Sequence, residues 1–142
     1  RAIQNVSGDL RITLNGAENL NTLAGQFIDR TFGAAVQHLA FSCTDIFATA
    51  EALAVRGFEA LEISPNYYED LGARFGLQDA FLARLQLSKV LYDEDADGRY
   101  FQLYSRRRTS EVFFEIVQRD RDYDGYGAAN APFRVSAQKR VL

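Results

Sequence analysis

A chain of 142 residues with 47% hydrophobic and 13% aromatic content is sized to bury one core, so a single compact domain is the expectation. A net charge of −3 with 25% charged residues gives no electrostatic ground for a nucleic-acid partner or an anionic membrane surface. No apolar run approaches the roughly 20 residues that span a bilayer, and the lone Cys43, which cannot pair within the chain, suits a reducing, cytoplasmic setting. The chain opens on Arg1 with no basic start followed by an apolar run and cleavage site, as expected of a domain boundary.

In chain order, RAIQNV and LRITLN flank the turn formers Ser7, Gly8 and Asp9 and predict a hairpin. Leu20, Leu23, Phe27 and Ile28 recur at helical spacing and predict a helix over 19–32 that stops at Gly33. AVQHLAFS alternates over 35–42, a strand with Val36, His38 and Ala40 on one face and Gln37, Leu39 and Phe41 on the other. Thr44 or Asp45 caps a helix through Val55, with Gly57 beyond its end, and a strand is expected again over 59–63. Pro65 and Asn66 break the chain, after which YYEDLGARF and AFLARLQLSKV predict two short helices around Gly76. Strands then follow at 90–92, 99–105 and 111–119, the first two joined by the acidic turn 93–98. The turn-rich stretch 123–132 leads into a closing helix. Arg106, Arg107 and Arg108 predict a solvated turn between strands, with phosphate binding as the minor alternative.

His38 is the only histidine, and on an apolar strand its imidazole needs a hydrogen-bond partner or a metal. A satisfied core histidine is the plainer reading of that residue alone. Glu115, in VFFEIVQR, is the sharper observation, because carboxylates are rarely buried unless paired or coordinated. An outward-facing glutamate on an edge strand is its alternative. Two strands could bring positions 38 and 115 together, and an imidazole plus a carboxylate makes two of the three ligands of a non-haem Fe(II) triad. The usual third ligand, a second histidine, is absent from the chain. A water, Gln102 or an external group would have to replace it. Asp93, Asp95 and Asp97 before Gly98 resemble the start of a calcium loop, but Tyr104 stands where its closing glutamate is needed. No serine sits in a nucleophile elbow, and Gly125 and Gly127 do not form a dinucleotide fingerprint.

The segments VQHLAF, NYYEDLGARF, FQLYS, VFFEIVQR and GYGAAN resemble, in order, the C-terminal half of 4-hydroxyphenylpyruvate dioxygenase, of the vicinal-oxygen-chelate superfamily. The resemblance implies an α+β fold built on a βαβββ module over 35–142 with a closing helix. Residues 1–34, hairpin plus helix, would end a preceding module. It places His38 and Glu115 on two of the family's three metal ligands, the other histidine lying in sequence before Arg1. It implies Fe(II), with cobalt, manganese or magnesium as alternative divalent ions, and an α-keto acid substrate. Asn15, Gln37 and Gln102 match polar positions of the substrate pocket. Tyr104 and Ala131 stand where the family holds the substrate ring between two phenylalanines. A methyl in place of a ring removes stacking worth roughly 0.5–1.5 kcal/mol, which argues against an aryl pyruvate substrate.

The segments NYYEDLGARF, VLYDEDADG and GYGAANAPFR are more similar still to the dioxygenase-like domain that some bacteria fuse to an isomerase-like 3-dehydroshikimate dehydratase. That version implies a divergent, not necessarily catalytic, metal-binding domain whose partner is an N-terminal barrel. Contact with a preceding module, or a homodimer, is expected to cover the sheet face that a lone module exposes.

Overall fold

A computed structural model describes residues 2–17, 19–106 and 112–140. The chain divides into two compact units, Arg1–Gln37 and His38–Leu142.

The first unit holds a hairpin and one helix. Strands β1 (Ala2–Gln4) and β2 (Arg11–Thr13) pair antiparallel, and Asn5 closes the turn by accepting from the Leu10 N–H through its side chain at 3.0 Å. Helix α1 (Leu23–Arg30) is shorter than the periodicity predicts. Asn19 intercepts the backbone first: its side chain accepts from the Asn21 N–H at 2.8 Å, and its carbonyl from the Thr22 hydroxyl at 2.8 Å. Thr22 then caps the helix by accepting from the Gly25 N–H at 3.0 Å.

The second unit contains a four-stranded sheet ordered β3-β6-β5-β4. Its elements are β3 (His38–Ser42), α2 (Ile46–Val55), α3 (Pro65–Phe75), α4 (Asp79–Leu87), β4 (Leu91–Glu94), β5 (Gly98–Tyr104), β6 (Phe113–Arg121) and, after a single turn of 3-10 helix at Ala128–Asn130, α5 (Ala131–Lys139). Strand β3 runs parallel to β6, and β4, β5 and β6 follow one another antiparallel. This is the expected βαβββ order, with α3 and α4 inserted before its second strand.

Three sequence expectations need correction. Residues 59–63 form no strand: Ala60 makes one isolated bridge to Ser105, flanked by hydrogen bonds from Leu61 N–H to the Tyr104 carbonyl and from Arg106 N–H to the Glu59 carbonyl. Leu61 and Ile63 are buried, so the alternation there records two anchors on the core rather than a ladder. Pro65 does not break the chain. It begins α3, where its missing N–H costs nothing. His38 is not mid-strand but the first residue of β3, because the ladder with β6 starts at the pair His38↔Phe113. The predicted start of the last strand at Glu111, together with Arg107 and Arg108, lies outside the described residues; Arg106 is exposed.

Other expectations match. Asp45 caps α2 by accepting from the Phe47 and Ala48 N–H groups, each at 3.0 Å. Gly76 ends α3 with a left-handed φ of 62°. In the acidic turn, the Asp95 carboxylate accepts from the Asp97 and Gly98 N–H groups, which is a turn motif and not a calcium loop. One sheet face carries Tyr92 and Phe101, which meet Phe47 of α2 and Phe81 of α4 edge-on. The other carries His38, Glu115, Gln102 and Tyr104, over which the 3-10 turn and α5 bring Asn130 and Arg134.

Candidate metal centre

The register decides what these side chains can reach. Glu115 lies across from Ala40 on one side and Tyr104 on the other. The small Ala40 leaves room beside the carboxylate, and His38, two residues earlier on the same face, brings its Nε2 to 3.5 Å from Glu115 Oε2. Glu115 is buried at 6% exposure, which settles in favour of the interior the choice left open by alternation. The His38 ring stacks on Phe113 at 5.1 Å between centroids and 11° between planes. Burial lowers the His38 pKa from its ordinary value; the Glu115 carboxylate opposes this and the Arg134 guanidinium adds to it. The neutral imidazole, the form that ligates metals, is thereby favoured.

The second carboxylate oxygen is committed elsewhere. Gln102 Nε2 donates to Glu115 Oε1 at 2.8 Å and lies 2.7 Å from the Tyr104 hydroxyl. Gln102 Oε1 accepts from Asn130 Nδ2 at 2.8 Å, and Asn130 Oδ1 accepts from the Tyr67 hydroxyl at 2.9 Å. That hydroxyl accepts in turn from the Tyr92 backbone N–H at 2.7 Å. Every donor in this line points the same way, from the β4 backbone to the carboxylate, so each amide has one orientation that satisfies its neighbours. Gln102, Asn130, Tyr67 and Glu115 are all buried. Burial pushes the Tyr104 phenol well above its ordinary range, and the nearby carboxylate adds to this, so it stays protonated.

Two glycines make the line fit. Gly127 has φ 59°, and a Cβ there would stand 2.3 Å from Gln102 Oε1. A Cβ on Gly125 would meet the Tyr123 hydroxyl at 2.5 Å, the same hydroxyl that accepts from the Gly127 N–H at 3.1 Å and donates to Asp93 at 2.8 Å. The turn-rich stretch thus folds over the amide that holds Glu115.

Of the residues singled out in the sequence, the structure gathers His38, Gln102, Tyr104 and Glu115. Asn15 and Gln37 belong to the first unit, Asn15 exposed and Gln37 half-buried at its last position. Ala131 is the exposed first residue of α5. Tyr67 and Arg134 escaped the sequence reading as site residues, and Gly127 and Asn130 entered it with the GYGAAN segment but with no role at the site. An asparagine closing a glycine-rich turn directly after the glutamate strand was the available signal for Asn130, whereas Tyr67 and Arg134 sit in ordinary helical patterns. Among the described residues, no group of three or more His, Cys, Asp and Glu side chains forms a metal cage. The donor set that does converge, one imidazole nitrogen and the carboxylate oxygen nearest it, suits a divalent ion that takes its remaining ligands from elsewhere.

No family model matches the chain. It is 43% identical over 142 residues to 3-dehydroshikimate dehydratase from Pseudomonas aeruginosa, a match covering 99% of this chain and 22% of that protein. To 4-hydroxyphenylpyruvate dioxygenase from Legionella pneumophila it is 30% identical over 133 residues, 92% of this chain and 38% of the relative. The chain therefore spans well under half the length of these relatives. Among solved structures, a fusion protein described as a xylose isomerase-like TIM barrel with 4-hydroxyphenylpyruvate dioxygenase superposes with TM-score 0.83 at 41% identity, covering 100% of this chain and 23% of that one. A variant of 4-hydroxymandelate synthase from Streptomyces coelicolor gives TM-score 0.76 at 26% identity over 98% of this chain and 40% of that one. Together with the βαβββ sheet, these neighbours define a dioxygenase-like domain of the vicinal-oxygen-chelate class. Its homologues are the 3-dehydroshikimate dehydratases and the 4-hydroxyphenylpyruvate dioxygenases, with the higher identity to the dehydratases.

Proposed function

We propose that this chain is the C-terminal, dioxygenase-like metal-binding part of a bifunctional 3-dehydroshikimate dehydratase, with the dehydration performed on an isomerase-like barrel and not here. The approach of His38 Nε2 to Glu115 Oε2 at 3.5 Å, with Glu115 Oε1 already engaged, carries the metal reading. His38 and Glu115 would hold a divalent ion, Fe(II) by resemblance or cobalt, manganese or magnesium by availability, whose role would be to polarise and orient a small keto acid. This chain's own contribution is to bury the carboxylate, keep the imidazole neutral and fix which carboxylate oxygen faces the ion. Tyr104, across from Glu115 on the same sheet face, would line the ligand pocket. Gln102, assigned there too, has both ends of its amide engaged within the protein.

An exposed apolar strip supports a protein partner. Leu39, Phe41 and Phe114 are 44%, 54% and 43% exposed on β3 and β6, a surface suited to the barrel, another module or a second copy. The lone Cys43 supports a cytoplasmic location.

The second reading, a fragment of a genuine Fe(II)-dependent 4-hydroxyphenylpyruvate dioxygenase, draws on the homologues of that name. Ala131, a methyl in place of one of the two aromatic walls, disfavours it. Metal analysis tests the centre: the chain should take up about one equivalent of Co(II), and His38→Ala and Glu115→Ala should each lose it. Undiminished uptake by both variants would discard the site. Assays of the full-length protein separate the two functions, since oxygen uptake and homogentisate formation from 4-hydroxyphenylpyruvate would overturn the dehydratase assignment.

A further inference from the structure

Arg134 is a half-buried cation on α5 that no function assigned above uses. Its guanidinium lies 5.6 Å from the centre of the Tyr104 ring and 5.5 Å from that of Phe113. Nη1 donates to the side-chain carbonyl of the buried Gln138 at 2.7 Å. No carboxylate among the described residues comes within ion-pair distance of it. The aromatic faces fix the plane of the guanidinium and attract its charge without neutralising it. Gln138 occupies only part of a donor fork that is shaped for carboxylate.

The same rings belong to the candidate centre. Phe113 is the ring on which His38 stacks, and the Tyr104 hydroxyl contacts the amide that holds Glu115. A cation with no carboxylate partner among the described residues therefore stands beside the imidazole–carboxylate pair, on the same sheet face. In such a half-buried place a carboxylate would bring charge-assisted hydrogen bonds to the guanidinium, whereas a neutral ligand would not.

We propose that Arg134 is the residue that selects an anionic ligand for the His38–Glu115 site, anchoring the carboxylate of a small keto acid through its guanidinium donors. The proposal rests on the reading of His38 and Glu115 as a ligand-binding centre, but not on a bound metal. Selection by charge also explains how a site could keep its ligand where Ala131 offers only a methyl group.

The test is a titration of the isotope-labelled, metal-free chain with pyruvate and with its neutral isostere pyruvamide, following the Arg134 Nε–H signal by NMR. Pyruvate should produce a saturable shift at Arg134 and pyruvamide none. Arg134→Gln should weaken pyruvate binding roughly ten- to a hundred-fold, the range expected for loss of a charge-assisted hydrogen bond. Arg134→Lys should recover part of it. Equal responses to acid and amide, an unmoved Arg134 signal, or unchanged affinity in Arg134→Gln would each overturn the proposal. If Arg134→Gln fails to fold, the contrast between pyruvate and pyruvamide at the wild-type Arg134 signal decides alone. A chain that takes up no Co(II) yet shows the pyruvate-specific shift would refute the metal reading and leave this one standing.

Discussion

Replacing Asn130 by alanine tests the buried line of donors at its centre. Asn130 is 2% exposed; its Nδ2 is the donor to Gln102 Oε1, and its Oδ1 the acceptor for Tyr67. In Asn130→Ala the Tyr67 hydroxyl keeps an acceptor, the Tyr92 carbonyl at 3.1 Å. Gln102 Oε1 loses the donor shown for it, in a side chain only 2% exposed. One orphaned buried acceptor costs about 1–3 kcal/mol, and the small cavity left by the amide about 1 more, for a total of about 2–4 kcal/mol. Urea unfolding should show the midpoint falling with an unchanged slope. Asn130→Asp sharpens the test because it leaves no cavity. Its carboxylate faces Gln102 Oε1 and can be satisfied only if the Gln102 amide turns over, which takes the donor away from Glu115. Burial would raise the pKa of the new carboxyl above its unfolded value, so the protonated form, which can donate to Gln102, gains stability as pH falls. The deficit of Asn130→Asp relative to wild type should therefore shrink in acid, while that of Asn130→Ala should not. A loss below about 0.5 kcal/mol in Asn130→Ala, the size of an ordinary surface substitution, would refute the buried line.

Two further outcomes follow from the same geometry. Gly127→Ala places a Cβ against Gln102 Oε1 and forces an L-residue into left-handed backbone, so it should cost at least about 1–2 kcal/mol in the same urea assay and weaken Co(II) uptake by displacing Gln102. For His38, folding lowers the pKa below the unfolded value of 6.5, mainly through burial. The unfolded chain then binds more protons as pH drops past that value, so stability should fall with acidification from about 6.5 and level off below the folded pKa. The acid-side loss should be smaller in His38→Gln, and identical pH profiles for the two proteins would contradict the depressed imidazole.

Most local elements and the two candidate side chains were legible in the residues alone. Alternation around Glu115, the Asp45 cap and the Gly76 stop are short-range effects, written in residues that touch one another along the chain. An acid between Phe114 and Ile116, and one histidine on a strand, were enough to nominate the pair, because the cost of burying such groups makes them conspicuous. Helix α1 shows where this fails: its apolar spacing ran on past the point at which Asn19 and Thr22 claim the backbone hydrogen bonds. The tertiary structure alone decided the rest. Only strand register puts the small Ala40 opposite Glu115, so that His38 can lean toward the carboxylate. Only the return of the chain after β6 brings Asn130 onto Gln102 and Arg134 onto Tyr104, across sequence separations that no periodicity encodes. The physical reason is that a side chain advertises its own cost of burial, whereas the partner that offsets the cost is chosen by packing.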